Sequence, residues 1–323
     1  MADFSLQEVD DIKYPKRRPW LLIVLIALVL AFLWNKFGRD EQSPKEEISE
    51  TKYVIPDERV SDREEPPPPP TAPIAGNVQS LLSKAAATAA RSEEKPSALA
   101  EARELYLRAL QAAIDPDTRT VIERRLGGIH AQLAFTPMPW PGIKVPYVVK
   151  SGDSIEKIAR RFGTTNALIE RGNQVKNPNM IRKGDSFKIL DGDFSIKVST
   201  TRRDLVVLLN GDFFKRYFVG TGKFGKTPAG TFEIWDRIQE PVWWRPNGKE
   251  IPFGDPENIL GTRWMAIRAT DGTPKVRGYG IHGTWDNNSI GKAESAGCIR
   301  LRNTDVEELY DLIPLGTKII IEG

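Results

Sequence analysis

An unbroken apolar run from Trp20 to Trp34 is the feature that most constrains how this chain can fold. As a helix the run would be about 22 Å long, and about 27 Å if it continued to Phe37, close to the ~30 Å hydrocarbon core of a bilayer. Lysines and arginines cluster before the run, whereas the residues that follow it are mostly acidic. The positive-inside rule therefore predicts a transmembrane anchor over 20–37, with residues 1–19 in the cytoplasm and the rest of the chain outside it.

A cleaved signal peptide is the alternative interpretation of this run. The residues after Trp34 contain no Ala-x-Ala pattern, which favours an uncleaved anchor. A lipoprotein is excluded because the only cysteine, Cys298, lies far from the N-terminus. The predicted localisation is that of a single-pass protein of the cell membrane, with its bulk in the periplasm or cell wall.

Composition argues against several other classes of protein. There are 46 Lys and Arg residues against 43 Asp and Glu, a net charge of +3, which fits neither a generally basic nucleic-acid binder nor an acidic solvating chain. One cysteine cannot form an internal disulfide, and one cysteine with two histidines argues against a Cys/His zinc site. No segment has the spacing of a phosphate loop or a metal site, so no cofactor, metal or nucleic-acid partner is predicted.

Shifts in composition divide the rest of the chain into segments. Residues 38–76 are acidic, contain a run of prolines, and are predicted to be a disordered linker. Residues 77–135 carry apolar residues at helical spacing and are predicted to form a small helical region. Four prolines in 136–146 predict a second linker, which is followed by a compact segment, 147–190, and a longer C-terminal segment, 191–323.

The segment 147–190 has the predicted order strand, helix, helix, strand. Its sequence contains Y-V-V-K-S-G-D-S-I-E-K-I-A-R-R-F-G, then R-G-N, then I-R-K-G-D-S-F-K-I. This ordered set resembles the lysin motif (LysM), a module that binds N-acetylglucosamine polymers such as peptidoglycan and chitin. The resemblance implies a glycan-binding groove, and the alternative is a folded spacer that has lost binding. The residues predicted to bind glycan are Gly152, Asp153, Ser154, Asn179 and Ile181.

In the C-terminal segment, apolar and polar residues alternate as expected for β-strands, for example at Phe194, Ile196 and Val198. One helix is predicted, from Thr304 to Ile313. The simplest architecture is an antiparallel or mixed β-sandwich with one late helix. The predicted fold class is therefore multidomain, with a single transmembrane helix, a small helical segment, a βααβ lysin-motif module and this C-terminal mainly-β sandwich.

The sole cysteine and one of the two histidines stand out as candidates for catalysis. Cys298 lies in S-A-G-C-I-R, sixteen positions after His282 in I-H-G-T. A cysteine nucleophile needs a nearby base, usually histidine, and flanking glycines let backbone N–H groups approach a developing oxyanion. The alternative is a buried structural cysteine. A thiolate paired with His282 should be alkylated rapidly at pH 6–7, whereas a buried structural thiol should not.

Three motifs in order, K-T-P-A-G-T-F at 226–232, I-H-G-T at 281–284 and S-A-G-C-I-R-L at 295–301, resemble the L,D-transpeptidase catalytic domain. The resemblance extends across 191–323. It implies that Cys298 attacks a donor stem peptide of peptidoglycan between meso-diaminopimelate and D-alanine. The resulting thioester would be resolved by an amine of a second stem peptide, which gives a 3→3 crosslink.

The same resemblance assigns roles to residues around the nucleophile. His282 would be the general base, its ring oriented by the backbone carbonyl of Gly283. The amides of Gly297 and Cys298 would donate to the oxyanion. The residues assigned to substrate binding are Arg300, Ser295 and Thr284; Arg300 could instead make a structural ion pair, and Ser295 could merely cap its turn.

Several alternatives share the same catalytic residues. Water as the acceptor would make an L,D-carboxypeptidase, and some members of the family attach lipoproteins to the wall. A reading from another class is a peptidoglycan-binding tether with a catalytically dead domain. Many family members have His or Arg where this chain has Ala296. The long insertion 236–262 is either a lid over the site or an aromatic cluster packed on the domain.

Overall fold

The structure, a computed structural model, describes residues 76–323. The predicted cytoplasmic tail, the transmembrane anchor and nearly all of the acidic linker lie outside the described residues. Between residues 76 and 323, no helix combines the length and the apolar character needed to cross a bilayer.

The described part of the chain opens with three helices. They are α1 (Gly76–Ala89), α2 (Ala98–Ala112) and α3 (Pro116–Phe135). Ala102, Tyr106 and Ala109 lie on one face of α2 and are all buried, as their spacing of three and four residues requires. Asp115 caps α3 because its carboxylate accepts hydrogen bonds from two amides of the first turn.

The lysin-motif module is a two-stranded sheet covered by two short helices. Its elements are β1 (Lys144–Val148), α4 (Ile155–Phe162), α5 (Asn166–Gly172) and β2 (Ser186–Leu190). The strands are antiparallel, with Tyr147 opposite Phe187 and both rings buried around Ile158. The sequence predicted that the first strand of this module starts at Tyr147. In the structure, β1 begins three residues earlier, at Lys144. Pro146 is tolerated inside this strand because a two-stranded ribbon leaves one edge of every strand unpaired.

The C-terminal domain is built on one eight-stranded mixed sheet with the order β13-β11-β10-β7-β14-β3-β4-β5. β14 is parallel to β3 and β11 is parallel to β13, whereas the other neighbours in this sheet are antiparallel. A separate pair joins β6 to β12. The strands are β3 (Phe194–Ser199), β4 (Asp204–Leu209), β5 (Asp212–Phe218), β6 (Thr221–Gly222), β7 (Gly230–Gln239), β10 (Arg263–Ala269), β11 (Gly280–His282), β12 (Ala293–Ser295), β13 (Ile299–Arg300) and β14 (Lys318–Glu322), with the short pair β8 (Trp243–Trp244) and β9 (Glu250–Ile251) in the insertion.

The C-terminal domain is mainly β, as predicted, and its main sheet is a single eight-stranded one rather than two separate facing sheets. Helix α3 packs against β5 of this sheet, and the late helix packs against β10 and β11. The late helix α6 (Asn303–Leu312) is present within one residue of its predicted ends. Its Val306 and Leu309 share a core with Ile281 and Ile299 of the strands. Alternation along a strand shows that one face is buried, but it does not show whether a helix or a second sheet covers that face.

Contacts join the helices, the lysin-motif module and the sheet. The segment 136–146 packs against the body through Trp140, which is buried and stacks on His130 of α3 with ring centroids 5.4 Å apart. Helix α5 packs on α6, where Arg171 forms an ion pair with Asp311 at 2.7 Å. The module is therefore docked on helix α6 of the C-terminal domain rather than held on a free tether.

His130 makes the joint between the helices and the sheet sensitive to acid. Its Nδ1 lies 2.8 Å from the Phe214 carbonyl of β5, and its Nε2 accepts a hydrogen bond from Arg103 at 3.1 Å. Both contacts use the neutral ring, and burial lowers the pKa of His130 from its ordinary 6.5 to about 4. The neutral form therefore stabilises the fold above pH 6.5, and this contribution is lost as the pH falls toward 4.

We expect His130→Leu to remove part of the acid sensitivity of the protein. Between pH 7 and pH 5, the low pKa of His130 should cost the wild type about 2 kcal/mol of unfolding free energy. Urea unfolding of the full chain at the two pH values, followed by tryptophan fluorescence, measures this difference. The variant should start from a lower stability but lose about 2 kcal/mol less; an equal loss in both proteins would contradict the expectation.

Candidate active site

Two parallel strands carry the candidate nucleophile and base. In the register of β11 and β13, Ile281 lies beside Ile299 and His282 beside Arg300. Both isoleucines point into the core. Because side chains alternate along a strand, His282 and Arg300 face the other side of the sheet, and Cys298, one residue before Ile299, faces the same side.

His282 is held in one orientation. Its Nδ1 lies 2.6 Å from the carbonyl oxygen of Gly283, and because a carbonyl can only accept, Nδ1 carries the proton and Nε2 is left as the acceptor. The indole of Trp264 stacks on the ring, with centroids 5.7 Å apart. The ring is buried, and this burial lowers the pKa of His282 to about 4. The imidazole is therefore neutral and able to take a proton at every pH above about 5.

Cys298 is half-buried and is the only free cysteine of the described residues. Its Sγ lies 3.6 Å from the carbonyl oxygen of Gly278. Burial raises the pKa of the thiol, while the Gly280 backbone and the charge of Arg300 oppose that rise. Both shifts favour a thiol and a neutral imidazole over a thiolate and an imidazolium. Rapid alkylation at pH 6–7 stays the test that distinguishes a paired thiolate from a buried thiol, since the thiolate is the reactive species.

A tight turn sets the position of Cys298. Ser295 Oγ accepts a hydrogen bond from the Gly297 amide at 3.0 Å and donates to the Cys298 carbonyl at 2.7 Å. The Gly297 amide, which the sequence assigned to the oxyanion, is thus already bonded within the turn. Gly297 has a φ of +139°, and a β-carbon there would overlap the ring of Tyr279. Its glycine is required by this backbone conformation and this close packing.

Thr227, to which the sequence analysis gave no role, links two of the three motifs. Its hydroxyl accepts from the Gly222 amide at 2.7 Å and donates to the Gly297 carbonyl at 2.9 Å. The side chain is buried. Its position in the K-T-P-A-G-T-F motif could have marked Thr227 as a candidate. Sequence spacing, however, does not reveal a hydrogen bond between two residues seventy positions apart, such as Thr227 and Gly297.

The three residues assigned to substrate binding have different surroundings. Arg300 lies beside His282, and its Nε is buried without a hydrogen-bond partner among the described residues. Ser295 closes the turn before Cys298. Thr284 is buried, and its hydroxyl accepts from the Asp286 amide at 3.1 Å. Of these three residues, only Arg300 has a buried polar atom that the described part of the chain leaves unsatisfied.

Residues 240–262, here termed the hairpin flap, contain β8 and β9 and pack beside the base. The buried Asn258 ties the flap together, because its side-chain amide donates to the carbonyl of Pro241 at 2.9 Å. Phe253 contacts the ring of Trp285, three residues after His282, with centroids 6.3 Å apart. These contacts join the flap to the loop that follows His282. Ala296, which lies in the S-A-G-C-I-R-L motif, is exposed.

The residues predicted to bind glycan lie in two loops at one end of the β1–β2 ribbon. The Asp153 carboxylate is occupied within the module, because it accepts from the Tyr147 hydroxyl at 2.6 Å and from the Lys150 amide at 2.8 Å. Its predicted contact with glycan stays a prediction, for a carboxylate that already has two partners inside the module. The surroundings of the other four are these: Gly152 forms an exposed turn with φ +83°, Ser154 caps α4, Ile181 packs on the module core and Asn179 is exposed.

Comparisons with known proteins agree with these motifs. A family model described as the L,D-transpeptidase catalytic domain matches residues 193–321, and a LysM domain model matches residues 147–189. A protein named as an L,D-transpeptidase, YqjB of Bacillus subtilis, is 39% identical over 135 residues, which cover 41% of this chain and 73% of YqjB. YkuD of Bacillus licheniformis, named likewise, is 33% identical over 183 residues, which cover 54% of this chain and 97% of that protein. Among solved structures, an L,D-transpeptidase from Mycobacterium tuberculosis is 16% identical, covers 56% of this chain and 92% of its own, and has a TM-score of 0.34.

Proposed function

The chain belongs to the L,D-transpeptidase family and is an L,D-transpeptidase of peptidoglycan, and we propose that it works through a thioester on Cys298. The observation that carries the proposal is the orientation of His282. Its Nδ1 is committed to the Gly283 carbonyl at 2.6 Å, which leaves Nε2 as a proton acceptor on the face of the sheet that Cys298 shares. A nucleophile beside a base that a third group orients is the arrangement required for covalent acyl transfer.

The first half-reaction forms the acyl-enzyme. His282 Nε2 takes the proton of the Cys298 thiol as Sγ attacks the carbonyl of the third stem residue, meso-diaminopimelate. The carbon–nitrogen bond to D-alanine breaks, and the imidazolium returns its proton to the departing amine. Burial raises the pKa of the Cys298 thiol, which favours transfer of its proton together with the attack over a thiolate formed beforehand.

The oxyanion and the substrate carboxylate need separate partners. The Gly297 amide is bonded to Ser295 Oγ, so we assign the oxyanion to the amide of Cys298 itself. The unsatisfied, buried Nε of Arg300 supports a contact with a substrate carboxylate, because an unpartnered buried guanidinium N–H is costly and a carboxylate would satisfy it.

The second half-reaction determines the product. The side-chain amine of a second stem peptide attacks the thioester, His282 accepts the amine proton, and the carbon–sulfur bond breaks to regenerate the thiol. The product is a 3→3 crosslink. Attack by water would give a tripeptide instead, and attack by a lipoprotein amine would attach that protein to the wall.

The other parts of the chain bring this site to its polymer. The LysM and L,D-transpeptidase domains together imply binding to peptidoglycan. We propose that the glycan strand occupies the loops around Gly152 and Asn179, which raises the local concentration of stem peptides. We also propose that residues 20–37 anchor the chain in the membrane with the catalytic domain on the periplasmic side. Protease accessibility in spheroplasts against intact cells would test that orientation.

The test of the function uses the full chain in mild detergent with a disaccharide-tetrapeptide as donor and acceptor. Mass spectrometry should show a dimer that lacks one D-alanine and an enzyme mass increased by the acyl group. The matched control is Cys298→Ala, which should give neither. If tripeptide formed without dimer, the protein would be assigned as a carboxypeptidase instead. If a folded wild-type protein gave no product, the peptidoglycan-binding tether would become the favoured interpretation.

A further inference from the structure

One side chain of α6 holds both backbone segments that surround the candidate base. Asn303, the first residue of that helix, accepts a hydrogen bond through Oδ1 from the Thr262 amide at 3.1 Å. The same oxygen lies against the α-carbons of Gly261 and Gly283, where a β-carbon on either glycine would overlap it. The two glycines are themselves in close contact, since a β-carbon on Gly261 would lie 2.5 Å from the carbonyl carbon of Gly283.

These two segments supply the carbonyl groups that face the His282 ring. The Gly283 carbonyl accepts from Nδ1 at 2.6 Å, and the Leu260 carbonyl also favours the charged form of the ring. Leu260 directly precedes Gly261, so both carbonyls lie within one residue of an Asn303 contact. The position of the Asn303 Oδ1 atom therefore influences both carbonyl groups that face the imidazole.

Asn303 is itself fixed by the core. It begins α6, whose Val306 and Leu309 are fully buried in the main core, and a methyl group of Val306 also borders Gly283. A displacement of Asn303 would require the whole first turn of this helix to move. The core thus fixes the position of Asn303, and the Asn303 side chain in turn fixes the loops beside His282.

We propose that Asn303 is a positioning residue for His282: it keeps the Gly283 carbonyl where it holds the proton on Nδ1 and leaves Nε2 free for Cys298. The inference rests on the proposed role of His282 as the base. Displacement of a catalytic group by about 1 Å can cost a factor of about 10² in rate, so loss of this contact should be visible in kcat.

The presence of only two histidines makes the proposal measurable without activity. In the full chain labelled with ¹⁵N-histidine, His282 should give the signals of a single neutral tautomer with Nδ1–H, and His130 provides an internal reference. Asn303→Ala should change the His282 signals towards a mixture of tautomers and lower kcat by about 10- to 100-fold, with KM within about twofold of the wild type. Asn303→Asp, which keeps the accepting oxygen, should restore both readouts.

The matched control is Thr304→Ala, a truncation of the exposed neighbour on the same turn of α6, which should leave the His282 signals and kcat unchanged. Wild-type signals and kcat in Asn303→Ala would overturn the proposal. So would equal disturbance of the His130 and His282 signals in both the Ala and Asp variants, because that pattern indicates a general structural role. If the wild type made no crosslinks, the tautomer measurement would still decide the positioning role independently.

Discussion

Replacement of His282 by glutamine is expected to lower kcat for crosslinking by about 10³-fold at pH 7, because no group then accepts the thiol proton during attack. The wild type should keep its activity down to about pH 5 and lose it near pH 4, where the buried ring becomes protonated. The variant should gain rate with rising pH, since hydroxide can form the Cys298 thiolate without a base. Product formation measured by mass spectrometry between pH 4 and 10 gives both profiles.

The control for this experiment is the other histidine. His130→Gln removes an equally buried ring at a distant joint and should retain the wild-type kcat at pH 7. Parallel pH profiles for the wild type and His282→Gln would contradict the role of His282 as base. If the activity of the wild type already fell near pH 6.5, this would contradict the lowered pKa of His282. It would indicate that Cys298 and His282 form a thiolate–imidazolium ion pair before substrate binds.

Replacement of Gly297 by alanine should have the second largest effect. The φ of +139° strains any L-residue there, and the new β-carbon would overlap Tyr279 and lie 3.0 Å from the Lys226 carbonyl oxygen. Backbone strain and overpacking together should lower the free energy of unfolding by about 3 kcal/mol. The turn that carries Cys298 should shift as well, so we expect kcat to fall by about 10²-fold or more.

Gly291→Ala separates backbone strain from the clash. Gly291 also has a positive φ, of +80°, but no atom lies near the position of its β-carbon. This variant should lose only about 1 kcal/mol of unfolding free energy and keep its kcat. Urea unfolding and crosslinking assays on both variants make the comparison, and equal losses in the two would show that packing against Tyr279 is unimportant.

Candidates for the reactive residues could be chosen from the sequence, but the environment that sets their protonation could not. Cys298, His282 and the glycines beside them are visible as motifs, because the chemistry requires those residue types. The neutral resting pair depends on burial of His282 under Trp264, a residue that the sequence analysis did not connect with the site. Stacking across two strands depends on register, which short motifs do not fix.

The sequence does not reveal which polar residues of turns bond within the fold. Asp153 and the Gly297 amide were assigned to ligands, and each also has a hydrogen-bond partner inside the fold, Tyr147 and Ser295 respectively. Turn-forming Asp, Ser and Gly residues bond their neighbours for structural reasons, and a motif does not separate that use from ligand binding. The number of sheets could not be predicted for a related reason, since strand patterns record burial but not the element that causes it.

The raised pKa of Cys298 has a consequence for the durability of the enzyme. Peroxides and disulfides react with thiolates, and a thiol that is held protonated until substrate arrives gives them little to attack. The described chain offers no second cysteine as a resolving partner, so an oxidised Cys298 could not be rescued by an internal disulfide. Slow reaction with oxidants at rest would preserve the only sulfur on which turnover depends, at the cost of making each attack wait for the proton transfer to His282.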